Sequence, residues 1–348
     1  MNLPTNLSAI IVALLLTPVL LWLLRRVALR VNFVDVPDAR KVHLQPVPLV
    51  GGVVLYVMAA ILLLMNHALD VFSFYLILAS GVLLVVGLLD DLFQLSALWR
   101  FVAQIFACLL VIYFADLKLD TFGYLLLPNW DVQLGVMAIP VTIFGVVGVI
   151  NALNMADGID GLAAMTFVLP VLVLSFLSDN LTLSLWLVNF LMAVMIFILF
   201  NISKKQKVFL GDNGSLFLGF VLAWLLVYFS QGHGDYVAVI RPVTALYLVA
   251  LPVYDTIFVM LKRMLAGHSP FKPDKTHLHH LFLAVGFSHN KALLFMLLSQ
   301  ALLIVLGVLF LVFNSAEKDQ FYIFILMSIV YYLGMQAMWK KINMGSYR

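Results

Sequence analysis

A chain of 348 residues that is 64% hydrophobic and only 11% charged departs from a soluble domain, which averages about 45–50% apolar and about 25% charged, in the direction a bilayer demands. The mean hydropathy of +1.10 agrees, and a net charge of +3 is too small to argue for nucleic acid. The single cysteine, Cys108, excludes an internal disulfide and reads as a small buried apolar residue.

About 20 consecutive apolar residues carry a helix across the hydrocarbon. In chain order such windows predict helices near 7–24, 47–65, 71–89, 99–115, 134–151, 161–178, 181–200, 215–230, 242–261, 293–313 and 321–338. The first is followed by Arg25, Arg26 and Arg30 without a small-residue cleavage site, so it reads as a retained helix rather than a signal peptide. Short links such as Asn66-His67 and Ser178-Asp179-Asn180 make neighbouring helices antiparallel. With no internal repeat or long linker, residues 1–348 form one integral-membrane domain. The predicted fold class is an all-α polytopic membrane protein of about eleven spans.

An odd number of spans puts the termini on opposite sides. Of the 20 basic residues, only Lys118, Arg241 and Lys318 fall in one set of loops, and all the others share the opposite set. The positive-inside rule then places the amino terminus outside, in the periplasm, and the carboxyl terminus in the cytoplasm.

The chemically unusual residues gather on that cytoplasmic side. Lys41 and His43 occupy the first loop, and Asp90-Asp91 ends the third span. Asn151 to Gly161, carrying Asn154, Asp157, Gly158 and Asp160, joins spans five and six. Phe209-Leu-Gly-Asp212-Asn-Gly-Ser enters span eight, Asp255 lies in the cytoplasmic third of span nine, and His277-Leu-His279-His280 follows in the longest loop. A single aspartate at a loop end is ordinarily a solvated group or a helix cap. Five such clusters on one face mark a site, because ionisable groups at a membrane boundary are costly. The outer acids, such as Asp70, Asp116 and Asp179, are isolated and read as surface.

Adjacent on a helix, Asp90 and Asp91 diverge by about 100° and would serve different neighbours. Asp157 and Asp160, three apart, would share a face if helical, and Gly158 lets backbone approach a ligand. Asp212 suits Mg²⁺, which joins protein carboxylates to substrate phosphates, and Asn154 offers an amide to the same cation or to a base. Amides exposed at the helix start after Phe209 suit a phosphate. Lys41, Lys262, Arg263, Lys272 and Lys275 could neutralise a diphosphate, although a positive-inside bias alone would also put them there. His277, His279 and His280 admit zinc or an anion. The lack of a nearby cysteine and the flanking Ser269-Pro-Phe-Lys-Pro-Asp-Lys favour the anion.

In this order these residues resemble the polyprenyl-phosphate N-acetylhexosamine-1-phosphate transferases along nearly the whole chain. The matching motifs are Arg40-Lys41-x-His43 with Pro48-Leu-Val-Gly-Gly, Gly87-Leu-Leu-Asp90-Asp91, Asn151 to Leu162, Val208-Phe-Leu-Gly-Asp212-Asn-Gly-Ser, Pro252-Val-Tyr-Asp255 and Ser269 to His280. The His-x-His-His form, in place of three consecutive histidines, resembles the branch that makes undecaprenyl-linked N-acetylglucosamine or initiates teichoic-acid-type polymers. Asn213 stands where the family often has a small residue such as alanine, with Asp212 and Gly214 left in place. The resemblance implies UDP-N-acetylglucosamine, or another UDP-N-acetylhexosamine, as donor. It also implies undecaprenyl phosphate as acceptor, UMP as leaving group, and Mg²⁺ or Mn²⁺ as cofactor. The setting implied is the bacterial inner membrane, at the first membrane step of O-antigen or enterobacterial-common-antigen type polysaccharide synthesis, and the family allows a homodimer. By motif position, Asp212, Asn154 and Asp90 would hold metal and diphosphate, and Asp90 and Asp91 would position the lipid phosphate. Asp160 and Phe209 would meet uracil beside Asp157 and Gly158. The histidines with Arg263, Lys41 and His43 would engage sugar and diphosphate.

Two other classes fit less well. An intramembrane aspartyl protease is suggested by Tyr254-Asp255 and Leu210-Gly-Asp212, but Phe209 stands where a glycine is expected and the two motifs are in reversed order. A transporter would carry its acids near mid-membrane rather than at one face. Reporter fusions should place the two termini on opposite sides of the membrane; a shared side would refute the odd span count.

Overall fold

The computed structural model describes residues 3–36, 45–234, 236–269 and 276–345. Lys41, His43, Lys272 and Lys275 lie outside the described residues. The helices in chain order are α1 (Leu3–Arg30), α2 (Gly51–Met65), α3 (Val71–Phe93), α4 (Ala97–Phe114), α5 (Ala138–Ala156), α6 (Leu162–Leu177) and α7 (Leu181–Asn201). They continue as α8 (Gly211–Gln231), α9 (Pro242–Leu248), α10 (Ala250–Leu265), α11 (Leu278–Ala284), α12 (His289–Val312) and α13 (Glu317–Gly345). The protein is a polytopic all-α membrane protein. Its one sheet among the described residues is the two-residue antiparallel pair Val34–Asp35 and Val47–Pro48.

Every apolar window of the sequence falls on a helix. Eight helices are long and apolar enough to cross a bilayer, and α9 with α10 makes a ninth candidate bent by 80°. The other two, α2 and α6, have 15 and 16 residues. At 1.5 Å per residue they reach only about 22–24 Å, short of a hydrocarbon core of about 30 Å. Both begin at the end that carries the carboxylates, so loop replaces helix there.

α8 is the axis. It is apolar and aromatic on all sides, with Phe217, Phe220, Trp224 and Leu225 fully buried, as a helix without a lipid-facing side must be. It packs against α2, α3, α5, α6 and α9. Glycine makes the closest approaches possible. A side chain at Gly87 of α3 would strike the Asn213 backbone, and one at Gly52 of α2 would strike Gly214. Small residues at such crossings let backbones touch, which stabilises helix packing where lipid supplies no hydrophobic drive.

The ninth window was expected to be one span, and here the structure differs. Val249 leaves helical geometry (φ −124°, ψ 21°), and Gln300 of α12 fills the gap. Its amide donates to the Leu248 carbonyl at 2.6 Å, and its oxygen accepts the Leu251 N–H at 2.9 Å. A broken helix in a membrane needs its freed backbone groups satisfied from elsewhere, and this partner is about 50 residues away. Gln300→Leu should therefore destabilise the protein by about 1–3 kcal/mol, the cost of buried groups left unpaired. Thermal unfolding in detergent checks this, and an unchanged midpoint would mean that packing alone holds the bend.

Candidate active site

The site is built where α3, α5 and α8 end or begin together. Asp91, in the last turn of α3, accepts the backbone N–H of Asp212 at 2.9 Å and of Asn213 at 3.2 Å, and the Asn213 side-chain amide at 2.6 Å. The amides at the start of α8 were expected to be open to a phosphate. They are instead taken by this carboxylate, which also meets the positive end of the helix. Gly211 adopts φ +74° to turn the chain into α8 beneath it.

Asp90 points the other way, as adjacent helical positions require. Its buried carboxylate pairs with Arg100 of α4 at 3.1 Å and lies near enough to Asp212 for the two charges to bear on each other. Asn154, in the last turn of α5, donates to Asp212 at 2.7 Å and to Ser215 at 2.8 Å. Its nitrogen thus faces the carboxylate and fixes that side chain's direction.

Asp157 and Asp160 do not share a helical face. α5 ends at Ala156, and residues 157–161 form a turn that Gly161 closes at φ +81°. The turn is held by Asn201, whose carbonyl oxygen accepts the Gly161 N–H at 2.6 Å and whose amide donates to the Val208 carbonyl at 2.9 Å. Across that clamp Lys207 reaches Asp160 at 2.6 Å and lies 5.1 Å from the centre of the Phe209 ring. Asp157 stays open to solvent on one side but is set into the protein mass. Desolvation, with the charges of Asp212, Asp160 and Asp91 added, pushes its carboxyl up to about 8.

The first loop joins the site through its backbone. Phe209 N–H donates to the Pro48 carbonyl at 2.8 Å, while Gly51 and Gly52 N–H donate to the Phe209 and Leu210 carbonyls at 3.0 and 3.2 Å. The Pro48-to-Gly52 motif is therefore a short ladder against Phe209 and Leu210.

The histidines form the remaining wall. The His277 and His279 rings lie parallel with centres 5.8 Å apart, and His280 tilts against His279 at 4.1 Å. His279 abuts Gly158, where any side chain would strike its imidazole, and its Nδ1 is buried without a partner among the described residues. The long loop was expected to be irregular here, but His279 and His280 belong to the short helix α11. Arg263 is buried in the last turn of α10. Two cavities of about 350 and 220 Å³ lie at the opposite end of the molecule, around Arg241 and Tyr228, and contain none of these groups.

Residues 73–230 match the glycosyl transferase family 4 pattern. The undecaprenyl-phosphate alpha-N-acetylglucosaminyl 1-phosphate transferase of Salmonella typhi is 35% identical over 316 residues, covering 88% of this chain and 84% of that protein. The proteins of that name from Escherichia coli (strain K12) and Pasteurella multocida (strain Pm70) are each 34% identical, covering 89% and 92% of this chain and 85% and 90% of their own lengths. The chain belongs to this transferase family.

In this family member the sequence motifs miss three of the site's supports. Arg100, Lys207 and Asn201 each hold a predicted residue or turn and stand outside the recognised motifs, while Asn213, inside one, holds Asp91. An arginine ten residues after Asp90, at the start of a span, was the one legible signal. Among the described residues no three acidic or imidazole groups converge on one point. Two neighbouring carboxyls, Asp90 and Asp212, the latter bonded by the Asn154 amide, would suit Mg²⁺, because that ion typically takes one or two carboxylates and completes its shell with water and phosphate.

Burial, with His280 and His277 alongside, lowers the His279 imidazole to about 3. The folded protein thus keeps it neutral to about pH 3, whereas the unfolded chain protonates near 6.5. Acidification below about 6.5 therefore favours unfolding, and the stability this group contributes is lost progressively toward pH 3. The thermal midpoint in detergent should fall from pH 6.5 to 4, and His279→Gln should flatten part of that slope.

Proposed function

We propose that the chain transfers N-acetylglucosamine-1-phosphate from UDP-N-acetylglucosamine to undecaprenyl phosphate, releasing UMP. The reading rests on identity to transferases of that name across about nine-tenths of the chain. The gathering of Asp90, Asp91, Asn154 and Asp212 at one end of the bundle supports it. A lipid phosphate oxygen attacks the β-phosphorus of the donor; the new P–O bond forms as the bridge to the α-phosphate breaks, and the electrons leave with UMP. Phosphoryl transfer of this kind is mostly positioning and charge neutralisation.

Each residue then has a task. Asp212 and Asp90, with Asn154 orienting the former, would hold Mg²⁺ or Mn²⁺, which when bound would supply charge neutralisation for the diphosphate. Asp160 and Phe209 receive uracil, with Asp157 and Gly158 flanking them. The histidines, Arg263, Lys41 and His43 engage sugar and phosphates. Asp91 anchors the start of α8 and presents it to the acceptor. No strong base is required, since a phosphate monoester with a second pKa near about 6 is largely ionised at neutral pH. The acceptor's chain stays in lipid while the donor arrives from water. We therefore assign the site to the cytoplasmic face of a bacterial inner membrane, with eleven spans and an outward amino terminus, as the basic residues of the loops favour. The product would feed surface-polysaccharide assembly, and the enzyme could act as a homodimer.

Radiolabelled UDP-N-acetylglucosamine with undecaprenyl phosphate and purified protein should yield lipid-linked label only when Mg²⁺ is present. Asp212→Ala should abolish that Mg²⁺-dependent transfer, by roughly 100-fold or more for a lost charge-neutralising group. Label transfer unaffected by chelation, or retained in the variant, would reject the assignment.

A further inference from the structure

The last helix, α13, reads in sequence as an ordinary outer span. Its exposed residues, among them Ile325, Leu326, Ile329, Val330 and Leu333, face lipid. Its inner stripe is different. Gln320, Phe324 and Met335 are buried, and with Tyr331 and Trp339 they recur at spacings of four and seven, the period of one helical face.

Three tyrosines register this stripe against α9 and α10. Tyr247 donates to the Gln320 carbonyl at 2.6 Å and Tyr254 to the Phe324 carbonyl at 2.9 Å. Nearer the site the direction reverses, and Tyr331 of α13 donates to Asp255 of α10 at 2.9 Å. Asp255 is itself buried and does not face the Asp90–Asp212 pair. Its other bonds go to the histidine segment: one oxygen accepts the Leu278 N–H at 2.9 Å, and the other lies 2.8 Å from His277 Nδ1. Two turns after Tyr331, Trp339 donates to the Thr276 carbonyl at 3.0 Å, immediately before His277.

We propose that Tyr331 and Trp339 are positioning residues, and that α13 serves as the strut that fixes the histidine wall. A carboxylate accepts only, so Asp255 selects the His277 tautomer protonated at Nδ1 and leaves Nε2 as the nitrogen not spent on it. Tyr331 fixes that carboxylate, as outer partners of functional imidazoles do. Trp339 fixes the strand entering the segment. Because His277 stacks on His279, and His279 abuts Gly158, the constraint passes from α13 to the turn bearing Asp157 and Asp160. Interfacial tyrosine and tryptophan commonly anchor a span in the headgroup region, and exposed Tyr322 fits that role. Tyr331 and Trp339 differ because their polar atoms are spent on protein groups that flank or hold His277.

The consequence for turnover rests on the transferase reading, so the test carries one readout independent of activity. The full chain in detergent is compared with Tyr331→Phe, which removes only the donor, and Trp339→Phe, which removes the donor together with part of the ring. Tyr332→Phe is the control, since its hydroxyl meets Gln336 within the same helix. Hydrogen–deuterium exchange should rise across 277–284 in the two variants and not in the control. kcat/KM for the nucleotide donor should fall roughly tenfold, the scale of a modest misplacement of site groups, with the acceptor KM and the thermal midpoint near those of the control. Unchanged exchange in both variants, or a kinetic loss that merely tracks a lowered midpoint, would overturn the proposal. Raised exchange in a chain that transfers no sugar phosphate even before substitution would leave the strut standing and reject the transferase reading alone.

Discussion

The structure turns on the Asp91 carboxylate at the start of α8. A half-buried carboxylate with no cation beside it among the described residues is stabilised by hydrogen bonds, and Asp91 has three, all from Asp212 and Asn213. That arrangement requires α3 and α8 to approach until their backbones nearly touch, which Gly87 permits, while Gly52 lets α2 approach the same start of α8. Once Asp91 is fixed, its neighbour is fixed too, and Asp90 projects toward Asp212 and Arg100. One interaction thus brings two carboxyls near each other. Neighbouring carboxylates repel unless a proton or a cation offsets their charge; Arg100 does so for Asp90, and a metal would do so for the pair.

The remaining acids are held by the same logic at the edges of this pair. Asp160 has Lys207, and Asp90 has Arg100. Among the described residues Asp157 and Asp212 have no basic partner of this kind, so the described centre carries an excess of negative charge. The Asp157 carboxyl is pushed up by desolvation first and by these neighbouring charges second. A metal–diphosphate complex would bring compensating charge with it. Helix ends supply the fixed geometry, and the substrates supply what completes the charge balance.

Much of the fold was legible because a bilayer imposes a length and a hydrophobicity that each window displays on its own. All eleven apolar windows are helical for that reason. The break at Val249 was not legible, since nothing local marks it and its partner Gln300 lies in another helix. Candidate residues fared similarly. The motifs named Asp90, Asp91, Asn154, Asp160, Asp212 and the histidines, and the structure gathers them by way of three neighbouring helix ends and α11. Helical spacing failed for Asp157 and Asp160 because Gly158 and Gly161 end the helix. An exposed helix start was inferred at Gly211 because sequence cannot reveal that a distant carboxylate already occupies it. Asn213 read as a tolerated departure, yet its amide is one of the three donors to Asp91.

The supports that escaped the motifs share a property. Arg100, Asn201, Lys207 and Tyr331 each come from an element other than the one bearing the residue or turn they hold. In a soluble enzyme a loop can be braced locally by its own turns and by water. At a membrane boundary the loops are short and the helices are straight, so a carboxylate at one helix end finds its partner on the next helix. Side-chain bonds between helices are individually modest, averaging about 0.6 kcal/mol in one membrane protein. Precision therefore comes from their number and from the close packing behind them. This explains how α13, mostly exposed to lipid, can still govern the histidine wall: one inward stripe with two well-placed donors is sufficient when the remainder of the site is already fixed by α8.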